Sequence, residues 1–266
     1  MSQLLTHYGF SSHPFARQTK PEALLRHAGF EEALGRVRFC VELDAIPMLV
    51  ADSGCGKSLL LGVLADELQR DGWSVYYIAH STVGPFGLVN MLARKLGLPP
   101  RRSRGETATL ILDHLIENGQ RNLLVLDEAH QLPDDSLEDL RLLTISDFDR
   151  KSAFLLLLAG LPRLDERLAE PTNHALDQRV TTTARLLPLS QDETRAYIDT
   201  RLRAAGAKKQ PVFEDSALDA LGNATGGVPR RINTLATSCL IVAAARKRRL
   251  VTEQDVHDAV LDRGRA

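Results

Sequence analysis

Apolar positions recur at helical spacing over residues 29–43 (GFEEALGRVRFCVEL), which predicts a helix, and Pro47 then opens the unbroken apolar run MLVA, which predicts a buried strand. That run ends in Asp52-Ser53-Gly54-Cys55-Gly56-Lys57-Ser58, and helical spacing resumes through LLLGVLADELQRDG to a stop at Gly72. VYYIA (75–79) reads as a second buried strand. Helical patterns over 85–97 and 106–118 flank the loop PPRRSRG, and NLLVL (122–126) is a third strand that runs straight into two carboxylates. A helix follows Pro133, FLLLLA (154–159) is a fourth strand, and a shorter fifth lies near 183–187. Strands alternating with helices require crossover connections, so the predicted core is α/β, a five-stranded, mainly parallel sheet flanked by helices.

After Pro188 the strand signals stop and helices are predicted over 191–206, 214–225, 229–247 and 253–262. Ser190 with Glu193 forms a capping box, and Thr252 with Asp255 a variant of one. The expected organisation is an N-terminal segment and helix over 1–45, an α/β core over 46–189, and a small all-helical domain over 190–266.

At 266 residues, 44% hydrophobic and 25% charged, the chain can bury a core, which excludes a disordered or disulfide-stapled protein. No run approaches the roughly 18 consecutive apolar residues of a membrane span, and the first residues carry no signal-peptide pattern, so a cytoplasmic location is expected. Cys40, Cys55 and Cys239 lie far apart without metal-ligand spacing and are expected to be reduced. The net charge of −1 hides an asymmetry: residues 1–200 carry 21 Lys and Arg against 27 Asp and Glu, and residues 201–266 carry 12 against 7. A basic terminal module on an acidic core is compatible with nucleic-acid binding and equally with a solvated helix face.

Ala51-x-x-x-x-Gly56-Lys57-Ser58 is a P-loop with alanine at its first position. Gly54 and Gly56 let the backbone amides of Asp52 to Leu59 (Asp52, Ser53, Gly54, Cys55, Gly56, Lys57, Ser58, Leu59) curl around phosphate oxygens. Lys57 supplies a cation to the β- and γ-phosphates, and Ser58 a hydroxyl to magnesium. The expected ligands are ATP and Mg²⁺. Asp127 and Glu128 end a strand, at the sheet edge where ligands of open α/β folds bind. Asp127 is expected to hold the metal with Ser58, and Glu128 to act as the base that activates water. Hydrolysis, beyond binding, is the implication.

Five segments in order resemble the AAA+ ATPases, and within them the branch of the ExeA, TniB, TnsC and Mu B type, which serves transposition or secretion. These are Tyr8-Gly9-Phe10 with Pro14-Phe15, the P-loop, Asp127-Glu128-Ala129-His130-x-Leu132, Leu176-Asp177-Gln178-Arg179, and Gly227-Val228-Pro229-Arg230-x-Ile232-Asn233. The resemblance implies an arginine finger at Arg179, with Arg185 as its rival, and a sensor-2 role for Arg230 in a helical lid. A surface ion pair and a first-turn helix position are the structural alternatives. It also implies Tyr8 and Phe10 as walls of the adenine site, against the alternative of an aromatic anchor for the N-terminal segment. A homo-oligomer, ring or helical filament, follows from an arginine acting in a neighbour's site.

Gly160-Leu161-Pro162 stands where many AAA+ proteins carry a polar sensor-1 residue, which leaves His130 or Gln131 as substitutes. The string DEAH is shared with helicases that need a second RecA-like domain, for which the residues after 189 are too few. Candidate contacts to double-stranded DNA are Arg246, Lys247, Arg248 and Arg249, and Arg101, Arg102 and Arg104, all without interleaved aromatics. The resulting expectation is a transposition helper that binds target DNA and recruits or activates a transposase. A secretion or assembly ATPase is the alternative, and a nucleotide-gated protein-binding module with little turnover a third.

Overall fold

The computed structural model describes residues 3–16, 23–79, 87–144, 152–207, 210–262 and 264. The chain divides into two compact units, residues 29–186, and residues 1–28 together with 187–266. The expected boundary near 189 thus falls at 186/187. Of the segment 1–45, residues 1–28 group with the C-terminal helices.

The first unit holds five strands, β1 (Ile46–Ala51), β2 (Ser74–Ile78), β3 (Asn122–Leu126), β4 (Leu155–Gly160) and β5 (Val180–Leu186), in the order β2-β3-β4-β1-β5. Every pairing is parallel. The three central strands are buried along their whole length, as continuous apolar runs covered on both faces must be. The edges differ from the sequence reading. β2 buries only Ile78, and β5 begins earlier than expected because its first residues, Val-Thr-Thr-Thr, are exposed or half-buried at an edge and lack an apolar signature.

Helices α2 (Ala28–Glu42), α3 (Lys57–Arg70), α4 (Gly87–Lys95), α5 (Arg104–Glu117), α6 (Asp134–Leu143), α7 (Arg163–Leu168) and α8 (His174–Asp177) connect or cover the strands, α1 being the N-terminal Gln3–Tyr8. Positions 85 and 86, at the start of the helical pattern expected over 85–97, lie outside the described residues. Because all strands run parallel, the segments that follow β1, β3 and β4 leave the sheet at one edge, with β4 between the other two.

The second unit packs α9 (Gln191–Ala204), α10 (Asp215–Thr225), α11 (Pro229–Ala245) and α12 (Glu253–Asp262) with α1. Ser190 and Glu193 close the capping box on α9. The N-terminal segment is fastened by long-range bonds: buried Arg201 donates to the carbonyls of Pro14 (2.7 Å) and Ala16 (2.6 Å), and Tyr8 Oη to that of Leu240 (3.1 Å).

Candidate active site

The turn after β1 enters α3 through Gly56, whose φ of +104° lies in the left-handed region that favours glycine. No side chain caps this helix, so its first amides remain for a ligand. Ala51 is the buried last residue of β1 and is not among the positive-φ positions, so its methyl group costs nothing. Lys57, the first helical residue, is buried, and its ammonium donates to Asp127 and, at 2.9 Å, to Glu128 Oε1.

Asp127 follows β3 and is almost fully buried. Its Oδ2 accepts from Tyr77 Oη (2.7 Å) and Ser58 Oγ (3.3 Å), and its Oδ1 from the Glu128 amide (2.8 Å). Burial alone would raise its pKa. The hydrogen bonds from Lys57 and Tyr77, with the Lys57 charge and the Glu128 amide, outweigh it and hold the carboxyl below its ordinary value. Burial and the bond to Asp127 push the Tyr77 phenol up, so that hydroxyl stays a donor. Glu128 has a φ of +57°, a left-handed turn that swings its carboxylate off the strand axis, with Oε1 on Lys57 and Oε2 3.4 Å from Gln131 Nε2.

These residues fit a magnesium-bound triphosphate: an uncapped helix start and a buried ammonium suit phosphate, and a serine hydroxyl beside a buried carboxylate suits the metal. Lys57 and the amides of the turn would hold the phosphates, and Ser58 and Asp127 the metal. No sequence motif marks Tyr77, whose one signal is a hydroxyl-bearing residue next to the end of a strand that pairs with β3.

Arg179 is placed elsewhere. It precedes β5, whose first residue pairs with Ile46 at the amino end of β1, while the P-loop follows the carboxyl end. There it donates to Thr144 Oγ1 (3.3 Å) and lines a cavity of about 470 Å³ with Asp44, Trp73, Arg121 and Thr144. Its rival Arg185 lies beside Val50 near the carboxyl edge and is ion-paired with Asp165. In the helical unit, Arg230 is exposed in the first turn of α11, behind Pro229. Tyr8 and Phe10 stack on each other (5.2 Å between ring centres), with Phe10 buried in that unit's core.

The two basic clusters are partly committed. Arg246 bonds to Asp255 (2.8 Å) and Asp258 (2.5 Å), and Arg248 bonds to Asp255 and Thr252. Arg104 pairs with buried Asp139, whereas Arg101 and Arg102 are exposed. Among the described residues, Lys247 and Arg249 form no ion pair.

Residues 42–168 match the AAA domain family. The chain is 32% identical over 255 residues to general secretion pathway protein A of Aeromonas hydrophila, a match covering 94% of this chain and 46% of that protein. The chain therefore spans about half the length of that curated relative. Among solved structures it is similar to Cdc6p from Pyrobaculum aerophilum (TM-score 0.74, 20% identity, 94% of this chain and 70% of that one). It is also similar to the ORC2 protein of Aeropyrum pernix (0.71, 17%, 95% and 72%) and to the RuvB Holliday junction branch migration motor of Thermotoga maritima (0.60, 16%, 93% and 73%). At these identities the likeness is one of fold. Among the described residues no helix is long and apolar enough to cross a membrane.

Proposed function

We propose, for a chain whose residues 42–168 form an AAA domain, that it hydrolyses ATP with Mg²⁺ as part of an oligomer and uses the cycle to drive assembly of a secretion-type machine. The observation that carries the chemistry is the convergence of Lys57, Ser58, Asp127 and Glu128 at one edge of the sheet. Bound Mg-ATP supplies the phosphoanhydride bond and the metal charge. Lys57 binds and orients the phosphates, Ser58 and Asp127 fix the metal's position, and Glu128 takes the proton of the attacking water through a carboxylate oxygen.

The oligomer is supported by Arg179, which lies at the far end of the sheet from its own P-loop and so suits a neighbour's site. The roles of Arg230, Tyr8 and Phe10 rest on the resemblance alone, and within their own unit Phe10 is buried in the core and Tyr8 Oη is bonded to the Leu240 carbonyl, which is the aromatic-anchor alternative. The secretion-type role rests on the 32% identity with a general secretion pathway protein A over nearly the whole chain. The transposition role has no such relative behind it, and the pairing of Arg246, Arg248 and Arg104 with carboxylates weakens the DNA contacts it needs.

The test is Mg-dependent phosphate release by the purified chain across a range of protein concentrations. Specific activity that rises with concentration is expected, because an active site completed by a neighbour forms only on assembly. Specific activity independent of concentration would remove the neighbour from the mechanism, and none at any concentration would remove the hydrolysis.

A further inference from the structure

Beside the proposed base lies a buried polar atom without a hydrogen-bond partner, His130 Nε2, 3.6 Å from Glu128 Oε2. The other ring nitrogen is committed. His130 Nδ1 lies 3.2 Å from the backbone nitrogen of Leu161, which carries a hydrogen and donates it. An acceptor nitrogen holds no proton, so the neutral ring carries its hydrogen on Nε2, the atom 3.6 Å from Glu128 Oε2. Burial and the nearby charge of Arg163, with Lys57 and Arg167 adding to them against Glu128, hold the ring below its ordinary pKa and thus neutral.

The surroundings leave this ring little freedom. Arg167 Nη1 donates to the carbonyls of His130 (2.9 Å) and Leu132 (2.6 Å), which pins the turn that carries it. On the other side, a Cβ at Gly160 would stand 3.0 Å from His130 Nδ1 and 3.1 Å from Leu164 Cδ2. The end of β4 therefore contributes no side chain to the site. It contributes a backbone amide, and the imidazole occupies the space a side chain would need.

Lys57 now holds Glu128 Oε1 and is also the cation on which the phosphates depend. Once drawn to them it no longer holds Oε1, while Gln131 Nε2 stands 3.4 Å from Oε2 on the exposed side. The backbone of Glu128 stays anchored, since its carbonyl accepts from the Gln131 amide at 2.9 Å, so only the side chain swings. A movement of less than about 1 Å closes the gap to His130 Nε2–H to a normal hydrogen bond.

We propose that His130 is a positioning residue for hydrolysis, catching Glu128 Oε2 through Nε2–H when Lys57 turns to the phosphates and so linking the end of β4 to the base. This rests on the reading of the site as an ATP hydrolase. The role is independent of titration: the ring stays neutral and moves no proton.

Two measurements test it. Long-range ¹H–¹⁵N correlation spectra of the wild-type chain are expected to show His130 as the neutral Nε2–H tautomer; the Nδ1–H form or an imidazolium at neutral pH overturns the proposal. Hydrolysis and ATP-analogue affinity are then compared for His130→Phe, which keeps the ring's bulk without a donor, and His130→Gln, which restores one. The expected result is a roughly tenfold fall in turnover at saturating Mg-ATP for His130→Phe, with affinity within about twofold and partial recovery in His130→Gln. Unchanged turnover in His130→Phe, or equal losses in both variants, overturns it. A wild-type chain with the expected tautomer and no turnover overturns the hydrolase reading, and this role with it. A wild-type chain that turns over with the wrong tautomer overturns this role alone.

Discussion

Lys57 Nζ lies 2.9 Å from Glu128 Oε1 while also bonding to Asp127, so one buried ammonium balances both carboxylates of the site. On the proposed reading, its loss takes away the cation meant for the phosphates and leaves the two carboxylates unbalanced. Lys57→Ala is therefore expected to show no ATP binding by calorimetry. Glu128→Gln keeps the shape of the side chain and an acceptor for Lys57 but cannot take a proton. It is expected to bind ATP as well as the wild type while turnover falls by about 10² or more.

Arg179 and Lys57 stand at opposite ends of the same pair of strands. Six residues of β1 separate those ends, about 20 Å at the rise of a strand, well beyond the reach of an arginine side chain. Arg179→Ala should bind ATP nearly normally and hydrolyse it slowly, by analogy with fingers that contribute about 10³–10⁵ in rate. Mixed with Glu128→Gln, it should regain activity at interfaces that pair an intact base with an intact arginine. Demonstrated co-assembly without recovery would make Arg179 structural.

Asp255 has no exposed surface and gathers the Thr252 amide and hydroxyl (both 3.0 Å), Arg246 and Arg248. Burial opposes its charge, but the Thr252 bonds and the two arginines more than compensate and depress its pKa. A depressed folded pKa means stability present above the unfolded value of about 3.9 and lost as the pH falls below it. Asp255→Ala, which strands Arg246 and Arg248, should cost about 3 kcal/mol at pH 7 and progressively less in acid. Urea unfolding monitored at several pH values checks this, and a cost that does not change with pH would exclude the carboxylate's charge as its source.

Much of the site was legible because its parts are contiguous. The P-loop is one unbroken stretch, Ala51 to Ser58, opening on the last residue of an apolar run, and Asp127-Glu128 is a pair at a strand's end. What was not legible depends on register or on distant packing. Tyr77 reaches Asp127 only because β2 lies parallel to β3 with Ile78 opposite Leu126, a pairing that no local pattern in SVYYI announces. His130 meets Leu161 across a strand end, with the lack of a side chain at Gly160 as the condition. Residues 1–28 join a unit formed by the other end of the chain through Arg201 and Pro14, 187 positions apart, and no periodicity encodes such a contact. The polar start of β5 was missed because an edge strand needs few apolar residues.

The basic run at the end of α11 gives the final prediction. Arg246 and Arg248 serve Asp255 and Asp258, so neutralising all four residues of the run would unfold the helical unit as well as remove charge. The informative variant is Lys247→Ala with Arg249→Ala, since among the described residues neither is ion-paired. If the chain acts in secretion-type assembly, its affinity for duplex DNA with a non-hydrolysable ATP analogue should stay in the non-specific range, a Kd of about 10⁻⁶ M or weaker at physiological salt. The double variant should then change that affinity little, while Arg246→Ala or Arg248→Ala lowers the melting temperature. The opposite result is equally readable by fluorescence anisotropy against salt. Tight binding whose log–log slope flattens by about 0.9 for each charge removed would mean that these residues neutralise phosphates. A DNA-bound assembly, and with it the transposition reading, would then replace the secretion-type one.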